Sequence, residues 1–135
     1  MESKINDYAK FVDTTTSNES KSEFAFAERF MKLGSQHPDI GWSRLMTSAI
    51  GMLAESGEFT EVMKKILFQG KEFSEENRFH MKRELGDILW YWIQGCIALG
   101  YTPDEVMDEN IKKLEARYPN GFEVARSEVR QEGDI

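Results

Sequence analysis

The residues best equipped for chemistry sit in two tetrads, Glu55-Ser56-Gly57-Glu58 and Glu84-Leu85-Gly86-Asp87, each holding two carboxylates three positions apart. On a helix that spacing is close to one turn, so both acids of a pair share a face. Four carboxylates projected from two neighbouring helices repel one another. A divalent cation resolves the conflict, because Mg²⁺ takes oxygen ligands and bridges to substrate phosphates. Residue type and spacing together point to metal-assisted phosphate chemistry, with Glu55, Glu58, Glu84 and Asp87 as the ligands.

The competing explanation is a solvated acidic face laced by ion pairs one turn apart. Four residues beyond the acids stand Phe59, Val62, Ile88 and Tyr91, none of them basic. Behind them, Arg83 could pair with Asp87 only in the less favourable order. Gly57 and Gly86 each directly precede the second acid of a tetrad. A mid-helix glycine costs about 1 kcal/mol relative to alanine, so its repetition predicts that two helix backbones approach closely at these points.

Other side chains carry a weaker signal. Lys64 and Lys65 lie about two turns beyond Glu58, and Lys112, Lys113 and Arg117 follow Asn110 further on. Surface charge at helix ends explains them as well as phosphate contacts do. Tyr91 stacks one turn above Asp87, and Trp42, Trp90 and Trp92 complete an aromatic concentration. A nucleobase wall and ordinary packing both fit, with packing the commoner role. Trp92 falls on an apolar stripe and Trp90 faces elsewhere, as at a subunit interface. His37 and His80 show no catalytic pattern, and the Glu-x-x-His signature of di-iron bundles is absent. No P-loop, nucleophile elbow or zinc spacing occurs.

These side chains need helices to carry them. Leu45, Met46, Ala49, Ile50, Leu53, Met63, Ile66 and Leu67 recur at helical spacing and predict a long helix from Trp42 to about Phe68. Ser74 is a candidate cap for the next, reaching about Leu99 with Leu85, Ile88, Leu89, Trp92, Ile93 and Cys96 as its stripe. Thr102-Pro103-Asp104-Glu105 reads as a capping box opening a fourth helix that runs to about Ala116. An earlier helix spans about 20–33 with Gly34 as its stop, preceded by an amphipathic piece (Ile5 to Val12) and a polar connector, Asp13 to Asn18. The charged tail, Glu123 to Ile135, is expected to order only against a partner subunit. No segment alternates like a strand. The expected fold is all-α, an antiparallel four-helix bundle.

Length and composition agree. The 135 residues suit one domain, 1–135, with 1–18 and 123–135 as terminal segments, and 40% are hydrophobic. A net charge of −7 argues against binding nucleic-acid polymers or anionic membranes. Cys96 stands alone in an apolar run and is a small buried hydrophobe by expectation. With no spanning segment or signal-like core, a soluble cytoplasmic protein is expected.

The tetrads and their flanks resemble a known family. Gly51 to Lys65 and Lys82 to Tyr91 look like the two metal-bearing helices of the all-α, MazG-type nucleoside triphosphate pyrophosphohydrolases, nearest to stand-alone phage-encoded members. Asn110 to Phe122 is similar to the segment that closes the site in many of them. The resemblance covers about residues 42–130. It implies hydrolysis of a nucleoside triphosphate, a deoxynucleotide above all, to monophosphate and pyrophosphate. It implies Mg²⁺ dependence, with Mn²⁺ as a substitute, and a homodimer or homotetramer in the host cytoplasm. On this likeness Lys65, Lys113 and Arg117 would hold phosphates, Tyr91 and Asn110 would touch sugar or base, and Trp42 would wall the base. Many members carry a further Glu where this chain has Ala54, which leaves Glu61 to share the work. A dUTPase-like hydrolase and a non-catalytic helical protein with a vestigial metal site are the alternatives.

Overall fold

A computed structural model describes residues 4–129, which form two compact units, one ending at Trp42 and the other beginning at Ser43. The protein is all-α, as expected. Among the described residues there is no strand, only an isolated bridge between Pro119 and Gly121.

The first unit holds α1 (Lys4–Thr15), α2 (Asn18–Lys21) and α3 (Glu23–Gln36). Two expectations need correction here. The predicted connector at Asp13 is helical as far as Thr15. The hydroxyls of Thr14, Thr15 and Thr16 donate to the carbonyls of Lys10, Phe11 and Val12 at 2.5, 2.9 and 2.6 Å, satisfying the end of α1 instead of drawing the chain away from it. Gly34 does not stop its helix: α3 passes through it to Gln36, and the helix begins at Ser22, whose hydroxyl accepts from the Ala25 N–H at 3.2 Å. Spacing alone gave no sign of Ser22, an extended cap that divides α2 from α3.

The second unit holds most of α4 (Trp42–Gln69), then α5 (Glu75–Leu99), α6 (Pro103–Arg117) and α7 (Val124–Glu128). Its punctuation follows the sequence. The Ser74 hydroxyl accepts from the Asn77 N–H at 3.2 Å and opens α5. Gly100, at φ 78°, closes it, with its N–H and that of Tyr101 returned to the carbonyls of Ile97 and Cys96. Both halves of the Thr102–Glu105 box are made, at 3.2 and 2.7 Å. The expected tail is in part the short helix α7; residues 130–135 lie outside the described residues.

α4 and α5 pack antiparallel, because ascending positions on one meet descending positions on the other. Ser48 Oγ donates to the Tyr91 carbonyl at 2.7 Å, Glu55 reaches Glu84, and Phe59, Met63 and Ile66 share a wide apolar cleft with Phe79, Met81 and Leu85. Close approach does occur along this pair, but not where the tetrads suggest. A Cβ on Gly51 would run into the Tyr91 ring, and one on Gly95 would lie 2.7 Å from Ser48 Oγ. A Cβ on Gly57 or Gly86 would meet no other element within 4 Å, so the backbone contact expected there is absent among the described residues.

Among the described residues Val62, Cys96 and Ala98 are the buried hydrophobic side chains, and Cys96 is a packed thiol as expected. The predicted stripes are only partly covered. Ile50 is 64% exposed, Leu53 77%, and Leu85 and Leu89 each more than half. Trp90, expected to face away from the stripe, is 54% exposed.

Candidate metal centre

The α4–α5 pairing decides which carboxylates meet. α4 projects Glu55 and Glu58 one turn apart, and α5 projects Glu84 and Asp87 toward them. Glu55, Glu84 and Asp87 each offer an oxygen to one group whose ligating atoms all lie within 4.8 Å of one another. Glu58 and Glu84 form a second such group with His80. Glu84 belongs to both and is 6% exposed. His80 Nε2 lies 2.9 Å from Glu84 Oε1.

Burial and the crowding of negative charge both act on Glu55. Glu55 is held above the usual carboxylate range, first by its partial burial, then by the charge of Glu58, a hydrogen bond shared with Glu84, and the charges of Asp87 and Glu84. Among the described residues no Lys or Arg pairs with Glu55, Glu58, Glu84 or Asp87. Ion pairs one turn apart do occur elsewhere on α4 and α5, at Glu61–Lys65 (3.1 Å) and Glu75–Arg78 (3.3 Å), and on α6 at Glu109–Lys112 (3.9 Å). A solvated face therefore describes those acids and not the tetrads. Convergent carboxylate oxygens from two helices, with no Lys or Arg partner and mutual repulsion, are the donor set a hard divalent cation takes.

The remaining site candidates are dispersed. Glu61 lies outside both groups and is gripped by Lys64 and Lys65, which hold its carboxyl below the usual range. Lys65 is thus engaged by Glu61. Tyr91 packs its ring over Gly51 and makes an edge contact with Trp90 at 4.9 Å between centroids. Trp42 closes the first unit, its ring 6.3 Å from that of His37, and its buried indole N–H has no partner. Asn110 and Lys113 line a cleft of about 730 Å³ with Leu99, Tyr101 and Glu109, and none of the four clustered acids borders it. The Arg117 guanidinium stacks 5.9 Å from the Tyr118 ring centre. The wide cleft of about 870 Å³ beside the acids is apolar, and of the tetrads it touches only Leu85.

His80 is the residue that motif reasoning passed over. It is not part of a Glu-x-x-His motif, yet it stands four residues before Glu84, the same helical interval used to test the acids for partners.

Comparison with known proteins places the segment that carries these acids in a family. The family model described as the MazG nucleotide pyrophosphohydrolase domain matches residues 46–122, a segment that holds both tetrads and His80. The Gene 37 protein of Mycobacterium phage L5 is 35% identical over 74 residues, an alignment covering 53% of this chain and 64% of that protein. The chain therefore spans less than two thirds of that relative's length. No solved structure matches.

Proposed function

The chain belongs to the MazG nucleotide pyrophosphohydrolase family, and from that premise we propose that it hydrolyses nucleoside triphosphates, deoxynucleotides first, to the monophosphate and pyrophosphate with Mg²⁺ as cofactor. The observation that carries this reading is the meeting of Glu55, Glu84 and Asp87 from two antiparallel helices within 4.8 Å, with no Lys or Arg among the described residues paired to them.

Glu55, Glu58, Glu84 and Asp87 would hold the cation, and Mn²⁺ would substitute for Mg²⁺. Bound there, a divalent ion supplies Lewis-acid neutralisation of phosphate charge and activation of water. The protein's own part is positioning, which dominates phosphoryl chemistry. Ser48 and Gly51 fix Tyr91, and with it the register that brings Glu84 and Asp87 opposite Glu55. Burial of Glu84 limits the orientations its carboxylate can take. Lys65 would reach phosphate by exchanging Glu61, and Lys113 and Asn110 would meet the nucleotide from their own cleft.

Water attacks the α-phosphorus in this scheme, displacing pyrophosphate. Turnover in ¹⁸O-labelled water across the canonical nucleoside triphosphates tests it: the label is expected in the nucleoside monophosphate, with unlabelled pyrophosphate beside it. Label in orthophosphate, with diphosphate as the other product, would place attack at the γ-phosphorus and overturn the reaction proposed.

A further inference from the structure

The geometry points to His80 as a nitrogen ligand of a second cation position, formed with Glu58 and Glu84, that takes a transition-metal ion such as Mn²⁺ in preference to Mg²⁺. This assignment deepens the reading above and rests on the carboxylate cluster holding a cation at all.

Three observations carry it. The imidazole and two carboxylates converge from two helices, with their ligating atoms within 4.8 Å of one another. Glu84, 6% exposed, is common to this group and to the all-carboxylate group, as a carboxylate bridging two ions would be. Glu58 has no Lys or Arg partner among the described residues, although it stands close to another acid.

A simple imidazole–carboxylate pair accounts for less. The 2.9 Å contact between His80 Nε2 and Glu84 Oε1 has the length of a hydrogen bond. It is also close to the separation of two adjacent ligands in an octahedral shell with bonds of about 2.1 Å. The pair does not explain the approach of Glu58, whose ligating oxygen joins the same group. A cation between His80, Glu58 and Glu84 answers it.

Half-exposure of the His80 ring leaves its nitrogens open to an incoming ion. Ligand chemistry sets the preference. Mg²⁺ takes oxygen donors and tolerates little departure from octahedral geometry, whereas imidazole nitrogen favours first-row transition ions. One position would thus be all oxygen and the other mixed.

The chain has only two histidines, which makes the test decisive. Electron spin echo modulation is recorded on the full-length protein loaded with Mn²⁺, without nucleotide. Imidazole ¹⁴N modulation is expected in the wild type and in His37→Gln, and is expected to vanish in His80→Gln. The same variant should weaken Mn²⁺ binding at least about tenfold, the low end of the cost of disturbing a metal site. Mg²⁺ affinity should change by less than about threefold. Mn²⁺ that binds the wild type without ¹⁴N modulation, or modulation that survives His80→Gln, would overturn the assignment and leave His80 as a hydrogen-bond partner of Glu84. The measurement is independent of turnover: a nitrogen signal in protein that releases no pyrophosphate sustains this site while sinking the hydrolase, and hydrolysis without the signal does the reverse.

Discussion

Glu58 and Asp87 carry charge that no basic side chain among the described residues answers, and each stands beside a further acid. Removing one charge while keeping the shape separates a metal ligand from a bystander. Glu58→Gln and Asp87→Asn are each expected to lower kcat at least about a hundredfold, the upper end of losses seen when a metal's surroundings are disturbed. Far-ultraviolet dichroism should be unchanged, because both side chains are exposed and neither fills the core. Near-wild-type turnover in both variants would eliminate the site. Glu61→Gln is the useful contrast, since the paired Glu61 belongs to neither carboxylate group.

Helix ends were the most legible part of the chain. Ser74, Gly100 and the Thr102–Glu105 box act through local chemistry that a one-dimensional sequence records, and each caps its helix as expected. The acid pairing was legible for the same reason, because three-residue spacing on a helix fixes a face. Gly57 and Gly86 misled, since a glycine does not say which neighbour it makes room for; Gly51 and Gly95 make that room for Tyr91 and Ser48. The three threonines misled as well, because their hydroxyls can end a helix or stay within it. One cap gives a pH-dependent prediction. Hydrogen bonds from the Thr102 N–H and hydroxyl hold Glu105 below its ordinary value of 4.5. A depressed carboxylate stabilises the fold above the unfolded value and loses that contribution as pH falls through the folded one. The melting-temperature gap between wild type and Glu105→Ala should therefore be full above pH 4.5 and shrink below it. A gap that stays constant down to pH 2 would show that the box acts without the charge. Thr102→Ala should cost about 1 kcal/mol at neutral pH.

A chain of 15.6 kDa that leaves Ile50, Leu53, Leu85, Leu89 and Trp90 more than half exposed has apolar surface to cover. Such faces on soluble proteins mark contact with another molecule. A second copy of the chain is the economical occupant, because closed symmetry is the common outcome of self-association. The glycines of the two tetrads bear on this. Each carries the mid-helix cost of about 1 kcal/mol, and among the described residues no other element would come within 4 Å of a Cβ placed on either. That cost is offset if a second protomer's backbone enters the space. Light scattering at micromolar concentration should then give a mass of two or four times 15.6 kDa. A substitution that one chain tolerates and an assembly does not makes the test sharper. Gly86→Leu meets open space in the isolated chain, so the variant should keep its helix content, while its mass should fall toward that of the monomer. A wild type that is monomeric throughout would remove the partner altogether. A Gly86→Leu protein that assembles like the wild type would move the interface away from the tetrads, and the metal centre would then be built by α4 and α5 of a single chain.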